Sequence, residues 1–335
     1  MQAGDGILVV GGEDRASSAG ARLLDAVAGR WRPLPGLGAP RAFAAAAVCA
    51  ASGDVVVCGG SDGSARLAGV ERLAPRSVSW TLGVPLPHAR IDHAAAPAPG
   101  AGGGVAVVGG YNGTSLRTAA VLLPGAGAWV PLPEMREFRA GCAASAAPGG
   151  GLVVTGGCTG RVNLTSVEVL PPDARAWESA PCMSCDRVFH ACAALSGACA
   201  RRPPPPGRGS PDWRAARACA DGRVVVAGGQ AAGGRVLASA EVWDARTAAW
   251  EALPPLGTAR DRASASAVGT AAFVFGGQDG TRTLRSVEVF DAAAGKWRAG
   301  PDLAQRRRGT AAVAVHWGCA PVAPARGAAV DGLAS

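Results

Sequence analysis

A pair of adjacent glycines followed about twenty residues later by a tryptophan occurs six times in this chain of 335 residues, and no other feature limits its fold as tightly. The first glycines are Gly11, Gly59, Gly109, Gly156, Gly228 and Gly276, separated by 48, 50, 47, 72 and 48 residues. Trp31, Trp80, Trp129, Trp177, Trp250 and Trp297 follow them at 20, 21, 20, 21, 22 and 21 residues. In the clearest copy, an apolar run beginning at Phe273 ends at Gly276-Gly277, Gln278-Asp279-Gly280 supplies a turn, and Ser286 to Asp291 alternates apolar and polar residues up to the turn before Trp297. The glycines suit a turn that needs positive φ, and the alternation is that of a half-buried strand. A period near 50 residues with four short strands per unit predicts an all-β propeller of six blades, each of four antiparallel strands.

The chain starts inside a unit, because Gly6 to Gly12 reads as a second strand with no first strand before it. Gly309 to Val315 reads as a first strand with no glycine pair after it. The C-terminal strand is therefore expected to complete the N-terminal blade, closing the ring and removing two open sheet edges. The expected domain is residues 1–318, with blade one at 6–33 plus 309–315. The other blades are placed at 41–82, 90–131, 139–179, 187–252 and 260–299, with a loose tail at 319–335. The long step before Gly228 marks an insertion, residues 196–222, between the first and second strands of blade five. It carries Arg201-Arg202-Pro203-Pro204-Pro205-Pro206 and reads as a disordered or polyproline spacer, with an SH3-type ligand or a segment of the gene model wrongly retained as alternatives.

The glycine pairs and tryptophans resemble the kelch repeat over nearly the whole chain. Ser61-Asp62-Gly63, Tyr111-Asn112-Gly113 and Ser166-Val167-Glu168 are similar to the repeats of the propeller in BTB-kelch adaptor proteins. Some copies are eroded: Ala119-Ala120-Val121 lacks the glutamate, and no Asp-Gly follows Gly11-Gly12. The resemblance implies a protein-interaction module that recognises substrates for a cullin-type ubiquitin ligase, with a cullin/BTB complex as the partner assembly. A cytoskeletal, actin-associated scaffold and a propeller enzyme acting on a small anionic sugar are the alternatives.

Among kelch enzymes, the galactose-oxidase type needs two tyrosines and a cysteine at copper, and Tyr111 is the only tyrosine here, so that chemistry is excluded and no cofactor is expected. No nucleophile elbow, phosphate loop or HExxH motif is present, so the chain is not read as an enzyme. The net charge of +8 is almost entirely arginine, with Lys296 the only lysine, and aromatic residues make up only 5%. Without a set of stacking surfaces, direct nucleic-acid binding is not expected. No apolar run long enough for a membrane span and no leader at Met1 are seen, so the expectation is a soluble cytoplasmic protein, with the nucleus as the alternative. The ten cysteines read as free thiols, with Cys49, Cys58, Cys142 and Cys192 acting as small apolar residues in strands.

Each interior unit opens with an arginine, at Arg41, Arg90, Arg139, Arg187 and Arg260; His93 and His190 follow two of them in the same register and read as packing residues. Cys182-Met183-Ser184-Cys185 with His190 has the spacing of a weak metal site. The candidate partner-binding residues lie in the loops between second and third strands. Arg15, Arg66, Arg117, Arg161, Arg235 and Arg282 put an arginine within seven residues of every glycine pair. The pattern fits a basic rim gripping an acidic protein segment through Arg-carboxylate pairs, or else solvated loop charge. By the resemblance, the residue after each glycine pair contributes to the same face: Glu13, Ser61, Tyr111, Cys158, Gln230 and Gln278.

Overall fold

The computed structural model describes residues 6–316 apart from 15, 99, 101, 148–149 and 196–221. Six separate four-stranded antiparallel sheets surround one axis. Their innermost strands, Arg308–Val315, Ala45–Val48, Ala94–Pro97, Ala143–Ala147, Ala191–Ala194 and Ser264–Val268, lie against one another in that order and return to the start. The expected closure is present. Gly6–Glu13 pairs antiparallel with Arg308–Val315 from Gly6 opposite Val315 to Glu13 opposite Arg308, so chain ends more than 290 residues apart form one sheet. The closing strand starts one residue earlier than its sequence suggests.

The second strands are the most buried, because each lies in the middle of its blade with neighbouring blades packed on both faces. Val55–Cys58, Val105–Val108 and Gly151–Thr155 are buried at every position. The outermost strands are short and largely exposed, down to two residues at Thr81–Leu82. Between the blades, apolar side chains interlock: Leu8, Leu23, Val55, Val57 and Leu73 form one such layer between blades one and two.

The six repeating tryptophans staple each blade to the one before it. Each indole Nε1 donates to a backbone carbonyl in the loop leaving the preceding blade, at 2.8 to 3.0 Å: Trp31 to Pro301, Trp80 to Pro35, Trp129 to Val84, Trp177 to Pro133, Trp250 to Pro181 and Trp297 to Pro254. Trp31 reaches back to blade six, so the staple also runs across the closure. Among the described residues, no helix is long and apolar enough to cross a membrane. The insertion and the tail beyond residue 316 lie outside the described residues.

Candidate partner-binding face

The arginine that opens each inner strand is a structural residue. Arg139, Arg187 and Arg260 are fully buried. Each Nη1 donates to the carbonyl of the first glycine of its blade's pair, as Arg260 does to Gly276 at 3.0 Å. Each Nη2 reaches a third-strand glutamate: Arg41 to Glu71, Arg187 to Glu241 and Arg260 to Glu288 at 2.6 to 2.8 Å, with Arg139 to Glu168 at 3.0 Å. The other oxygen of that glutamate accepts from a backbone N–H in the loop before the arginine, at Gly38, Arg136, Ser184 or Gly257. Charge is thus matched inside a closed unit and both terminal nitrogens are bonded, which makes a buried guanidinium tolerable even though Nε of Arg41 and of Arg187 is buried without a partner among the described residues.

Two residues beyond each arginine the chain turns into the channel through a left-handed residue. Phe43, Asp92, Gly141, Phe189, Arg262 and Gly309 all have φ between 51° and 62°. Their backbones form a closed ring in which each N–H donates to the carbonyl of the equivalent residue in the preceding blade, Phe43 to Gly309, Asp92 to Phe43, Gly141 to Asp92, Phe189 to Gly141, Arg262 to Phe189 and Gly309 to Arg262, at 2.8 to 3.2 Å. Four of the six positions carry side chains despite the steric cost of that conformation, which is characteristic of constrained functional positions.

Those side chains shape a cavity of about 100 Å³ at the channel mouth, lined by Phe43, Asp92, Phe189 and Arg262 with His93 and His190 among the residues deeper in. The Arg262 guanidinium carbon lies 4.1 Å from the centroid of the Phe189 ring, and its Nη1 is 3.3 Å from Asp261 Oδ1. Burial pushes the Asp92 carboxyl up to about 6; Arg262 opposes that rise and Glu13 adds to it. The other half of the channel is a cavity of about 230 Å³ walled mostly by alanines, including Ala46, Ala95, Ala146, Ala194, Ala267 and Ala314. Small residues are needed where six strands converge.

The residue after each glycine pair forms a bridge to the residue after the repeating arginine, so Ser61 meets Ala42, Tyr111 meets Ile91, Cys158 meets Ala140, Gln230 meets Val188 and Gln278 meets Asp261. The loops between second and third strands therefore stand at the same end of the ring as the mouth. Arg66, Arg117, Arg161, Arg235 and Arg282 are all exposed there, and Arg15 lies outside the described residues. They are partly engaged. Arg66 lies 5.7 Å from the Tyr111 ring centroid, Arg117 pairs with Glu134 at 2.8 Å and covers Phe138, and Arg282 pairs with Asp279 at 3.2 Å. Tyr111 and the loop arginines stand outside the lining of the mouth cavity. Gln278 accepts from Arg308, which also pairs with Glu13 at 3.0 Å, while Gln230 donates to Gly234.

The innermost charged residues, Asp92, Asp261, Arg262 and Arg308, are absent from the sequence-based candidates. The signal for Asp92 and Arg262 was available as the second position after a repeating arginine, a place marked twice by glycine, whereas Asp261 and Arg308 directly follow their arginines, opposite Gln278 and Glu13. The metal reading finds no support in the geometry. His190 Nε2 is 2.7 Å from Thr155 Oγ1, Cys182 is exposed, and among the described residues no three His, Cys, Asp or Glu side chains gather to hold a metal. His93 and His190 pack as the register implies, their rings against Gly59 and Gly156. Burial brings both imidazoles down to about 3. Cys58, Cys142 and Cys192 are pushed up to about 12 by burial, so these thiols stay protonated.

Comparison with known proteins agrees with this architecture. The solved structure of YjhT superposes with a TM-score of 0.65 at 14% sequence identity, covering 84% of this chain and 89% of that one, a likeness of fold. A search of curated proteins finds no significant match. The Kelch motif matches at residues 42–87, 139–184, 216–257 and 259–304, more than half of the chain. With six blades, the repeating Gly-Gly and tryptophan, and the arginine-glutamate pairs all in register, the chain belongs to the kelch-repeat family.

Proposed function

We propose that this propeller is a protein-interaction module that binds an acidic segment of its partner on the face where the channel mouth opens, and that it selects substrates for a cullin-type ubiquitin ligase. The observation carrying the binding reading is the exposed arginine on five of the loops between second and third strands, Arg66, Arg117, Arg161, Arg235 and Arg282, all at one end of the ring. These side chains are set for exchange. The Arg117–Glu134 pair leaves both side chains about half exposed, and such a pair is worth under ~1 kcal/mol, so a partner carboxylate can replace the internal one. Tyr111 and Phe138, 36% and 47% exposed beneath Arg66 and Arg117, offer the aromatic surface on which interface energy concentrates. The ligase role rests on the likeness of Ser61-Asp62-Gly63 and its counterparts to BTB-kelch repeats. Kelch propellers commonly bind proteins, which favours this reading over a propeller enzyme.

The test is calorimetry with capped glutamate-rich peptides at low and physiological salt. Arg117→Ala with Arg282→Ala should weaken binding at least tenfold, about 1.4 kcal/mol, and flatten the salt dependence while leaving the melting temperature within a degree or two. Equal affinity in the double variant, or wild-type affinity indifferent to salt, would refute the rim. Co-purification of a cullin or BTB protein with the wild-type chain and its loss in the double variant tests the ligase role.

A further inference from the structure

The mouth divides into two halves built on the same plan. Around the ring of left-handed residues the order is Gly309, Phe43, Asp92, Gly141, Phe189 and Arg262, so glycine faces glycine, phenylalanine faces phenylalanine and Asp92 faces Arg262. In one half, the Phe189 ring lies over Gly141, where an added Cβ would stand 2.7 Å from its edge, and the Arg262 guanidinium lies over Phe189. In the other half, the Phe43 ring lies over Gly309 in the same way, with an added Cβ 2.5 Å away. The next position there is Asp92, a carboxylate where the first half has a cation. Among the described residues Asp92 makes no ion pair and no side-chain hydrogen bond, whereas Asp261 has Arg262 and Glu13 has Arg308.

Beside Asp92, His93 is 6% exposed and its Nδ1 has no hydrogen-bond partner. The Cys58 thiol donates to the Ala45 carbonyl at 3.6 Å, so the proton between Cys58 Sγ and His93 Nε2, 3.5 Å apart, belongs to the imidazole. Nδ1 is then a buried lone-pair acceptor on a residue that lines the mouth. An aromatic face, a carboxylate and a buried acceptor are the groups that bind a guanidinium or ammonium.

We propose that the Phe43–Asp92 half of the mouth receives the guanidinium of an arginine side chain from the partner, completing that half as Arg262 completes the other. The inference rests on the acidic-segment reading and refines it. A cavity of about 100 Å³ suits one side-chain head group and is too small for a folded peptide turn. The partner segment then carries a central arginine flanked by carboxylates, the arginine entering the mouth and the carboxylates meeting the rim.

The experiment uses the full chain and two capped peptides, Glu-Glu-Gly-Arg-Gly-Glu-Glu and the same peptide with neutral citrulline for arginine. Wild type should bind the arginine peptide at least tenfold tighter. Asp92→Asn should remove that preference while keeping the affinity for the citrulline peptide, and Arg117→Ala with Arg282→Ala should weaken both peptides alike. Asparagine tolerates the left-handed backbone at this position; Asp92→Gly, which places here the residue found at Gly141 and Gly309, guards against a folding defect. Equal binding of the two peptides by wild type, or a preference that survives in both Asp92 variants, overturns the proposal while leaving the rim untouched. If neither peptide binds, the rim reading fails and the mouth is still tested by titrating butylguanidinium against amide chemical shifts. Shifts around Phe43 and Asp92 that vanish in Asp92→Asn support the site, and their absence in wild type refutes it.

Discussion

At the scale of single residues, the eroded repeats explain themselves through hydrogen-bond accounting. Blade three has Ala120 at the place of the paired glutamate, opposite Val107 as Glu71 is opposite Val57. Pro87 occupies the loop position where Gly38 and Gly257 offer an N–H to their glutamates, so a glutamate at 120 would have lost its second donor. Among the described residues, Arg90 accordingly donates to the Gly109 carbonyl and Thr118 Oγ1 alone. Blade one places Arg22 there, facing Val9 and close enough to Arg307 to disfavour its charge after burial has done so first. Arg22→Glu should turn that repulsion into the pair seen in four other blades and raise stability by about 1.5–3 kcal/mol, read as a higher denaturation midpoint with unchanged slope. Asp92 points the other way. Its folded carboxyl titrates near 6 against 3.8 as the ordinary value, mainly through burial. The unfolded chain releases this proton first as pH rises, so stability is full below about 3.8, falls between 3.8 and 6, and is level above. Asp92→Asn should therefore stabilise the protein at pH 7 by at most about 3 kcal/mol, at 1.36 kcal/mol per pH unit, and by nothing at pH 3.5. Equal melting temperatures of variant and wild type at both pH values would show that Asp92 ionises freely.

At the scale of strands and loops, the repeat made most of the fold legible because its spacing is imposed by sheet geometry. Gly276-Gly277 ends a strand with φ of 56° and 91°, and an added Cβ on Gly276 would stand 2.3 Å from the Arg307 carbonyl, so the pair had to be glycine in every blade and could be counted. Trp297 was equally visible because its indole must reach the preceding blade. The mouth was not legible in this way. Arg262 and Asp92 occupy a position that varies from phenylalanine to glycine, and their shared backbone conformation leaves no common side chain to read. The loop arginines were visible, but Arg117 pairs with Glu134 seventeen residues on in another loop and Arg282 with Asp279 three residues back in its own turn, and loop geometry rather than composition selects those partners. The closing strand was read from an incomplete repeat at each end, and it carries a direct consequence. Ending the chain at Arg307 removes the whole inner strand of blade one, the Gly309 link of the backbone ring and the pairing of Gly6–Glu13. Such a chain exposes the edge of Gly6–Glu13 and should aggregate or lose its cooperative unfolding transition, whereas one ending at His316 should melt with the wild type. Matching thermal transitions for both truncations would mean that the ring holds without its closing strand.

At the scale of the whole molecule, the ring separates two ends with different chemistry. Strand one to strand two hairpins leave at the alanine-lined end of the channel, and the loops bearing the arginines and the mouth stand at the other. The insertion joins the alanine-lined end, between Ala191–Ala194 and Arg223–Ala227, which pair directly from Ala191 opposite Ala227 to Ala194 opposite Val224. Its two anchors are already fixed to the sheet: Leu195 N–H donates to the Arg223 carbonyl at 2.9 Å across the hairpin, and Gly222 accepts from Ala245 N–H at 2.9 Å at the end of the next strand. The sheet is therefore complete without the residues between, and the hairpin is ready for a tight turn. Replacing 197–221 with a short Asn-Gly type connection should leave the fold intact and gain ~1–2 kcal/mol from the smaller loop-closure entropy. Because the change is at the far end of the channel, peptide affinity and its salt dependence at the arginine face should match the wild type. A shortened chain that folds but binds tenfold more weakly would show that the segment reaches the binding face, and one that fails to fold would show that it supplies packing to blade five.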